Sequence, residues 1–362
     1  MPVIFTKDTL RASVEAASGG QMTILYDDKG FPSYMVRIPK FNLQDIDPIY
    51  GSGVHPAFIV GGIEKSEILI GAFQAKIYDG RACSIPHVDP TVYINFDNAK
   101  AACTAKGAGW HLMTNWEWAA IALWCLKNGF QPRGNTDYGR SHEATYETGT
   151  RIDGLAPGTT SGTGKTLTGS GPASWRHNNT FTGIADLVGN VSEWVDGLKL
   201  VDGKIYMTSD NNFNLVETSW PDTGVRFDST ATGDESTPSS DIGDPVISNE
   251  ITKYAGPVGN NGEYGYLQLA NWKDLTKKSG YNIPASMLQA AIAPITLSDG
   301  TYSQNPKGAL YIRNYGERCP LRGGHWHLGA TAGLFYLNLN NARSNVNGNI
   351  GFRPASPYCQ KR

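Results

Sequence analysis

Short apolar runs alternate with turn residues through residues 1–55, in MTILYDD and SYMVRIPKF, and predict a small β-rich opening segment. From Pro56 onward, FIVGGIEKSEILIGAFQAKIYDG alternates well enough for two or three strands. INFDNAKAACTAKGAG then takes helical spacing, with Asp97 near its start and Gly107 as its stop. The strongest helix signal follows. Thr114 and Glu117 form a capping box, Ala119, Ile121, Ala122, Cys125 and Leu126 supply an apolar stripe, and Gly129 ends the run. Residues 130–180 are rich in Gly, Thr, Ser and Asn and are expected to be long surface loops. Two early helices followed by strands and loops imply an α+β chain with an irregular β-sheet.

The clearest alternation lies near the end, in FYLNLNN. Phe335, Leu337 and Leu339 face one way and Tyr336, Asn338 and Asn340 the other. One face is core. The other offers an amphipathic aromatic and two adaptable amides, the composition of recognition loops. A merely solvated face would carry Lys and Glu, yet residues 322–353 contain no Asp, Glu, Lys, Gln or Met. Trp326, Phe335, Leu337, Leu339, Ile350 and Phe352 are the expected packing residues.

The 362-residue chain has 31 Lys+Arg against 33 Asp+Glu, a net charge of −2, which argues against affinity built on nucleic-acid phosphates. No apolar run is long enough to span a bilayer, and the first residues lack the pattern of a secretory signal. Charge is unevenly spread. Residues 201–250 hold ten acidic and two basic side chains and are expected to be a solvated loop insertion with little core, whereas residues 301–362 hold eight basic and one acidic. The five cysteines include no CxxC pair, so buried reduced thiols are the default, with Cys319 and Cys359 as the one pair that could join the ends.

TTSGTGKT at 159–166 lacks the first glycine of a phosphate loop and reads as a flexible loop. In DLVGNVSEWV, a tight turn at Gly189-Asn190 directs Asn190 and Glu193 toward each other above Trp194. That makes Asn190 and Glu193 candidate calcium ligands; the alternative is a structural turn whose Glu193 caps backbone amides. His325-Trp326-His327 on a strand would place both imidazoles on one face, the spacing of a two-point metal contact with no evident third ligand.

RGG-x-W at 322–326, GNVSEW at 189–194 and GFRPA at 351–355 resemble the formylglycine-generating-enzyme (sulfatase-modifying-factor) branch of the C-type lectin-like fold. More finely, RGGHWHLGATAGLFYLNLNNARSNVNGNIGFRPAS is similar to the variable region of proteins diversified by retroelements, and WHLMTNWEWAAIALWCLKNGFQPRGN to the constant part of such proteins in phages and prophages. The resemblance spans residues 56–200 and 300–358. It divides the chain into a lead-in at 1–55, suited to attachment or oligomerisation, and a lectin-like domain at 56–362 with an acidic insertion at 201–300 and a variable region at 322–353. In that family adenines of a template are randomised, turning AAY codons into NNY, which never encodes Lys, Gln, Glu, Met or Trp. His325, His327, Leu328, Thr331 and Tyr336 fall within that alphabet and, with Asn338 and Asn340, form the expected ligand-binding face.

The catalytic relatives oxidise a cysteine at a copper site built from two cysteines after RGG-x-W, where this chain has HLGATAGLFYLNLNN with none. The resemblance therefore implies a non-enzymatic receptor binder with calcium as the sole candidate cofactor. It would sit on a phage tail, be made in the bacterial cytoplasm, and recognise a host cell-surface protein or glycan as a homo-oligomer, a trimer on a tail fibre. The alternatives are a metal-dependent oxidase of the formylglycine-generating type and a diversified bacterial surface or intracellular binding protein.

Overall fold

A computed structural model of the protein describes residues 8–234, 236–237, 240–253, 265–294 and 305–357. It is α+β, with few helices and three principal sheets. The first sheet orders its strands Met22–Tyr26, Pro32–Pro39, Glu67–Gly71, Pro354–Ser356 and His111–Leu112, all antiparallel. Hydrogen bonding thus crosses the boundary expected between residues 55 and 56, because Met35 to Pro39 pair directly with Gly71 to Glu67.

The third sheet carries the C-terminal motifs. Its order is Leu267–Leu269, Leu310–Ile312, Gly333–Leu339, Leu321–Gly323, Ser192–Trp194 and Ile350–Phe352. GNVSEW and GFRPA meet here as parallel neighbours, Glu193 opposite Gly351, while Arg322 of RGG lies on the other side of Glu193.

Helix Asn115–Lys127 fills the space between the sheets. Its capping box forms as expected, Glu117 N–H donating to Thr114 Oγ1 (3.2 Å) and Thr114 N–H to Glu117 Oε2 (2.9 Å). The expected apolar stripe proves too narrow. Trp116, Trp118, Ala120 and Leu123 are buried as well, so the helix is enclosed nearly all round. The other expected helix spans Phe96–Thr104, with Asp97 in its first turn as expected and Asn95 as its cap.

Three expectations change. Thr9–Ala17 is a helix, capped by Asp8 and tied to the first strand through Thr23 Oγ1 donating to Glu15 (2.7 Å); it buries no residue fully, and Leu10 and Val14, four positions apart, lie on its half-buried face. The acidic insertion builds most of a six-stranded sheet, ordered Thr276–Lys277, Pro245–Ser248, Asp222–Ser229, Lys204–Met207, Leu198–Val201 and Glu317–Arg318. Ile205, Val225, Phe227 and Ile247 are fully buried in it, a core that the net acidic charge of the segment does not disclose. Residues 130–180 are loops, but Asn135, Thr166, Thr168 and Trp175 are buried within them, packed rather than merely solvated. Cys319 is a buried free thiol; Cys359 lies outside the described residues, and so does any pairing between the two.

Candidate functional site

Trp326, Phe335, Leu337, Leu339, Ile350 and Phe352 are all buried, as their alternation predicts. Between them the C-terminal segment surfaces in two places, from His327 to Ala330 in the turn that follows Gly324, and in the Asn-rich loop 344–349. His325-Trp326-His327 is that turn and not a strand. The two glycines before it adopt left-handed backbone (φ +84° at Gly323, +80° at Gly324), and a side chain at Gly324 would strike Ala332. The imidazoles therefore do not line one strand face. They meet edge to face, with ring centroids 4.2 Å apart.

His325 is the inner member. Asn349 Nδ2 donates to its Nε2 (3.0 Å), which places the proton on Nδ1, and Nδ1 is buried with no hydrogen-bond partner among the described residues. Burial first, and His327 second, hold its pKa down to about 3, so the ring is neutral at physiological pH. His327 is exposed and lies over the Tyr138 ring at 6.0 Å, with the rings inclined by 26°. The backbone fixes this neighbour too, Tyr138 N–H donating to Trp326 O (2.7 Å). Beneath the turn, the Trp326 indole covers Gly164 so closely that a Cβ there would lie 2.3 Å from the ring; the TTSGTGKT loop is a support for this turn.

On the other flank, Tyr93 is 73% exposed. It stands against the Asn-rich loop, its N–H donating to Asn347 O (3.0 Å), and Gly348 is too close to its hydroxyl to admit a side chain. Tyr93, Asn347, Asn349, His325, His327 and Tyr138 thus form one linked strip. Tyr93 and Tyr138 escaped the sequence reading because they lie about 190 to 250 residues before the loops they touch; the available signal was an aromatic with left-handed backbone (φ +56° and +48°), which is rare away from glycine.

The remaining expected face residues divide. Tyr336 is not solvent-facing: it is 2% exposed, packed beside Tyr311 at 5.8 Å, and burial pushes its hydroxyl pKa up. Its face of the strand is covered because Leu310–Ile312 runs alongside. Asn338 and Asn340 are half-buried; Asn338 is engaged by its neighbours, while Asn340 Oδ1 makes no hydrogen bond among the described residues. Asn338 Nδ2 donates to Tyr336 Oη (3.1 Å), and its Oδ1 accepts from Asn340 N–H (2.8 Å) and Asn341 Nδ2 (3.1 Å). Leu328 and Thr331 are half-buried and belong to one turn, Thr331 Oγ1 donating to Leu328 O (2.8 Å).

Asn190 and Glu193 are brought together, yet not as cation ligands. Arg353 Nε and Nη2 donate to Glu193 Oε2 and Oε1 (2.7 and 2.6 Å), so a guanidinium occupies the carboxylate. Asn190 Oδ1 accepts from Thr166 N–H (2.8 Å) and its Nδ2 donates to Gln74 Oε1 (2.8 Å), while Gln74 Nε2 donates to Glu193 (3.1 Å). All of these groups are buried and their oxygens engaged, which leaves no open coordination sphere for calcium. Among the described residues no group of three or more His, Cys, Asp or Glu could hold a metal.

No family model matches the chain, and no curated protein matches it. Among solved structures it is similar to PvdO from Pseudomonas aeruginosa, at 12% identity over 92% of this chain and 97% of that one, with a TM-score of 0.35. It is also similar to Treponema denticola variable protein 1, at 13% identity over 93% of this chain and 99% of that one, with a TM-score of 0.33.

Proposed function

We propose that the protein is a non-enzymatic receptor binder of the retroelement-diversified type on a C-type lectin-like scaffold, and that the strip from Tyr93 to Tyr138 is its recognition surface. The observation that carries this reading is the strip itself. In the motif-bearing segment His327 and Asn347 are exposed and Asn349 is half-buried, His325 is buried behind them, and Tyr93 and Tyr138 flank the group. Tyrosine, imidazole and amide groups without formal charge give adaptable hydrogen bonding on rigid aromatic area.

Display on a phage tail, with a host surface protein or glycan as partner and a homotrimer as the assembled form, is the biological setting this reading favours, because weak sites multiply into avidity when several copies act together. Sequencing the DNA around the gene tests the diversification. A near-copy of the segment encoding 322–353 is expected, differing almost only at its adenines and altering codons 325, 327, 328 and 331. Differences spread evenly over all four template bases overturn the retroelement origin. Adsorption to host cells tests the surface: His327→Ala with Asn347→Ala is expected to abolish binding of a folded protein.

A further inference from the structure

Away from that strip, an open cleft of about 610 Å3 lies between the loops 146–148, 169–172 and 176–181. At its base sits Arg176, 5% exposed, its guanidinium between the rings of Phe73 and Phe181 at 5.4 and 5.6 Å. Arg176 Nη1 donates to Gly183 O (2.9 Å) and Nη2 to Gly169 O at a long 3.4 Å, while Nε is buried without a hydrogen bond. No described carboxylate forms an ion pair with it. Asp186 attracts it from a distance but is engaged by Gly169 N–H (2.7 Å). The carboxylate in the cleft wall, Glu147, is taken by Arg133 and by Trp175 Nε1. The wall is built for close approach. Gly169 has left-handed backbone (φ +65°) and a Cβ there would strike Phe73, and one at Gly171 would strike the Trp175 ring. The rim carries two aromatic side chains left in solvent, Tyr146 at 83% and Phe181 at 68% exposure.

A desolvated guanidinium whose nearby carboxylate, Asp186, makes no direct ion pair with it is costly, and a planar fork pairs best with a carboxylate. Exposed aromatic faces above it suit the apolar face of a pyranose ring, and the volume falls within the range of small-molecule sites. From these we infer that the Arg176 cleft is a second ligand site, for a carboxylate-bearing sugar of the uronic or sialic class, with Arg176 on the carboxylate and Tyr146 and Phe181 on the ring. It is separate from the recognition strip, none of whose residues line it.

Calorimetric titration of the full chain with methyl β-D-glucuronoside is expected to show saturable binding. Methyl β-D-glucoside, which lacks the charge, should bind at least about tenfold more weakly, the value of one charge-assisted contact, and N-acetylglutamate, which keeps a carboxylate but lacks the ring that stacks on Tyr146 and Phe181, should also bind at least about tenfold more weakly. Arg176→Gln should remove the preference for glucuronoside over glucoside. Tyr146→Ala and Phe181→Ala, at exposed positions that leave the fold intact, should each weaken glucuronoside several-fold, and decide the matter if Arg176→Gln does not fold. Equal affinity for glucoside and glucuronoside, tighter binding of N-acetylglutamate, no glucuronoside binding at millimolar concentration, or unchanged affinity in both aromatic variants overturns the proposal. Glucuronoside binding that survives His327→Ala with Asn347→Ala shows that this site stands apart from the strip.

Discussion

Arg353 and Glu193 form a fully buried two-point ion pair, at 2.6 and 2.7 Å, across 160 residues of sequence. Arg353 also donates to Gly71 O (2.8 Å) and Ala185 O (2.9 Å), so one guanidinium fastens the first sheet, the GNVSEW turn and the end of the chain. Removing one partner strands the other charge without water. Glu193→Gln and Arg353→Gln should each cost about 3–5 kcal/mol, measured by urea unfolding. A cost near zero for both would mean that the pair is solvated in the folded protein.

Burial separates the expected recognition residues into two energetic groups. Tyr336→Ala should destabilise by about 3–5 kcal/mol, as for other large core side chains. His327→Ala and Asn347→Ala, both exposed, should stay within about 0.5 kcal/mol of the parent. Equal thermal shifts for the three variants would refute the division.

Acid should test the inner histidine. His325 is held at about 3 in the folded chain, against about 6.5 when unfolded. As pH falls the unfolded state takes up this proton first, so the contribution to stability is complete above about pH 6.5. It is lost toward pH 3 at about 1.4 kcal/mol per unit. His325→Asn cannot take that proton. The stability difference between parent and variant should therefore narrow by that amount for each unit between pH 6 and 4. Parallel stability curves would show that His325 is solvated.

Gly164→Ala should disturb the His325–His327 turn from below, because its Cβ meets the Trp326 indole and its backbone lies at φ +62°. A loss of about 1–3 kcal/mol is expected, together with weaker adsorption to host cells. Full stability with unaltered adsorption would separate the loop from the surface.

How far the sequence revealed these features depended on how locally each is determined. The capping box of Thr114 and Glu117 spans four residues and was legible, as was the alternation of Phe335, Leu337 and Leu339. The helix Thr9–Ala17 was missed, although Leu10 and Val14 lie four positions apart on its half-buried face, because residues 1–55 read as one β-rich segment from the strands that follow it. In the acidic segment, Val225 and Phe227 show a strand alternation that net charge obscured. At the site, the polar character of Tyr336 and His325 was plain, but their burial comes from Tyr311 and Asn349, neighbours supplied by the fold. Asn190 and Glu193 do come close, joined through Gln74, but Arg353, the partner of Glu193, has no sequence proximity to announce it.

The strand Pro354–Ser356 lies inside the first sheet, between Glu67–Gly71 and His111–Leu112, with Ala355 opposite Ile70. A chain growing from its N-terminus therefore holds an open seam at Ile70 until residue 355 has been synthesised. Any reading-frame error in the codons before it leaves that seam unfilled and exposes a row of unpaired backbone amides. Folding therefore depends on the reading frame being kept through codon 355, whereas substitutions at exposed positions such as His327 and Asn347 leave the seam closed.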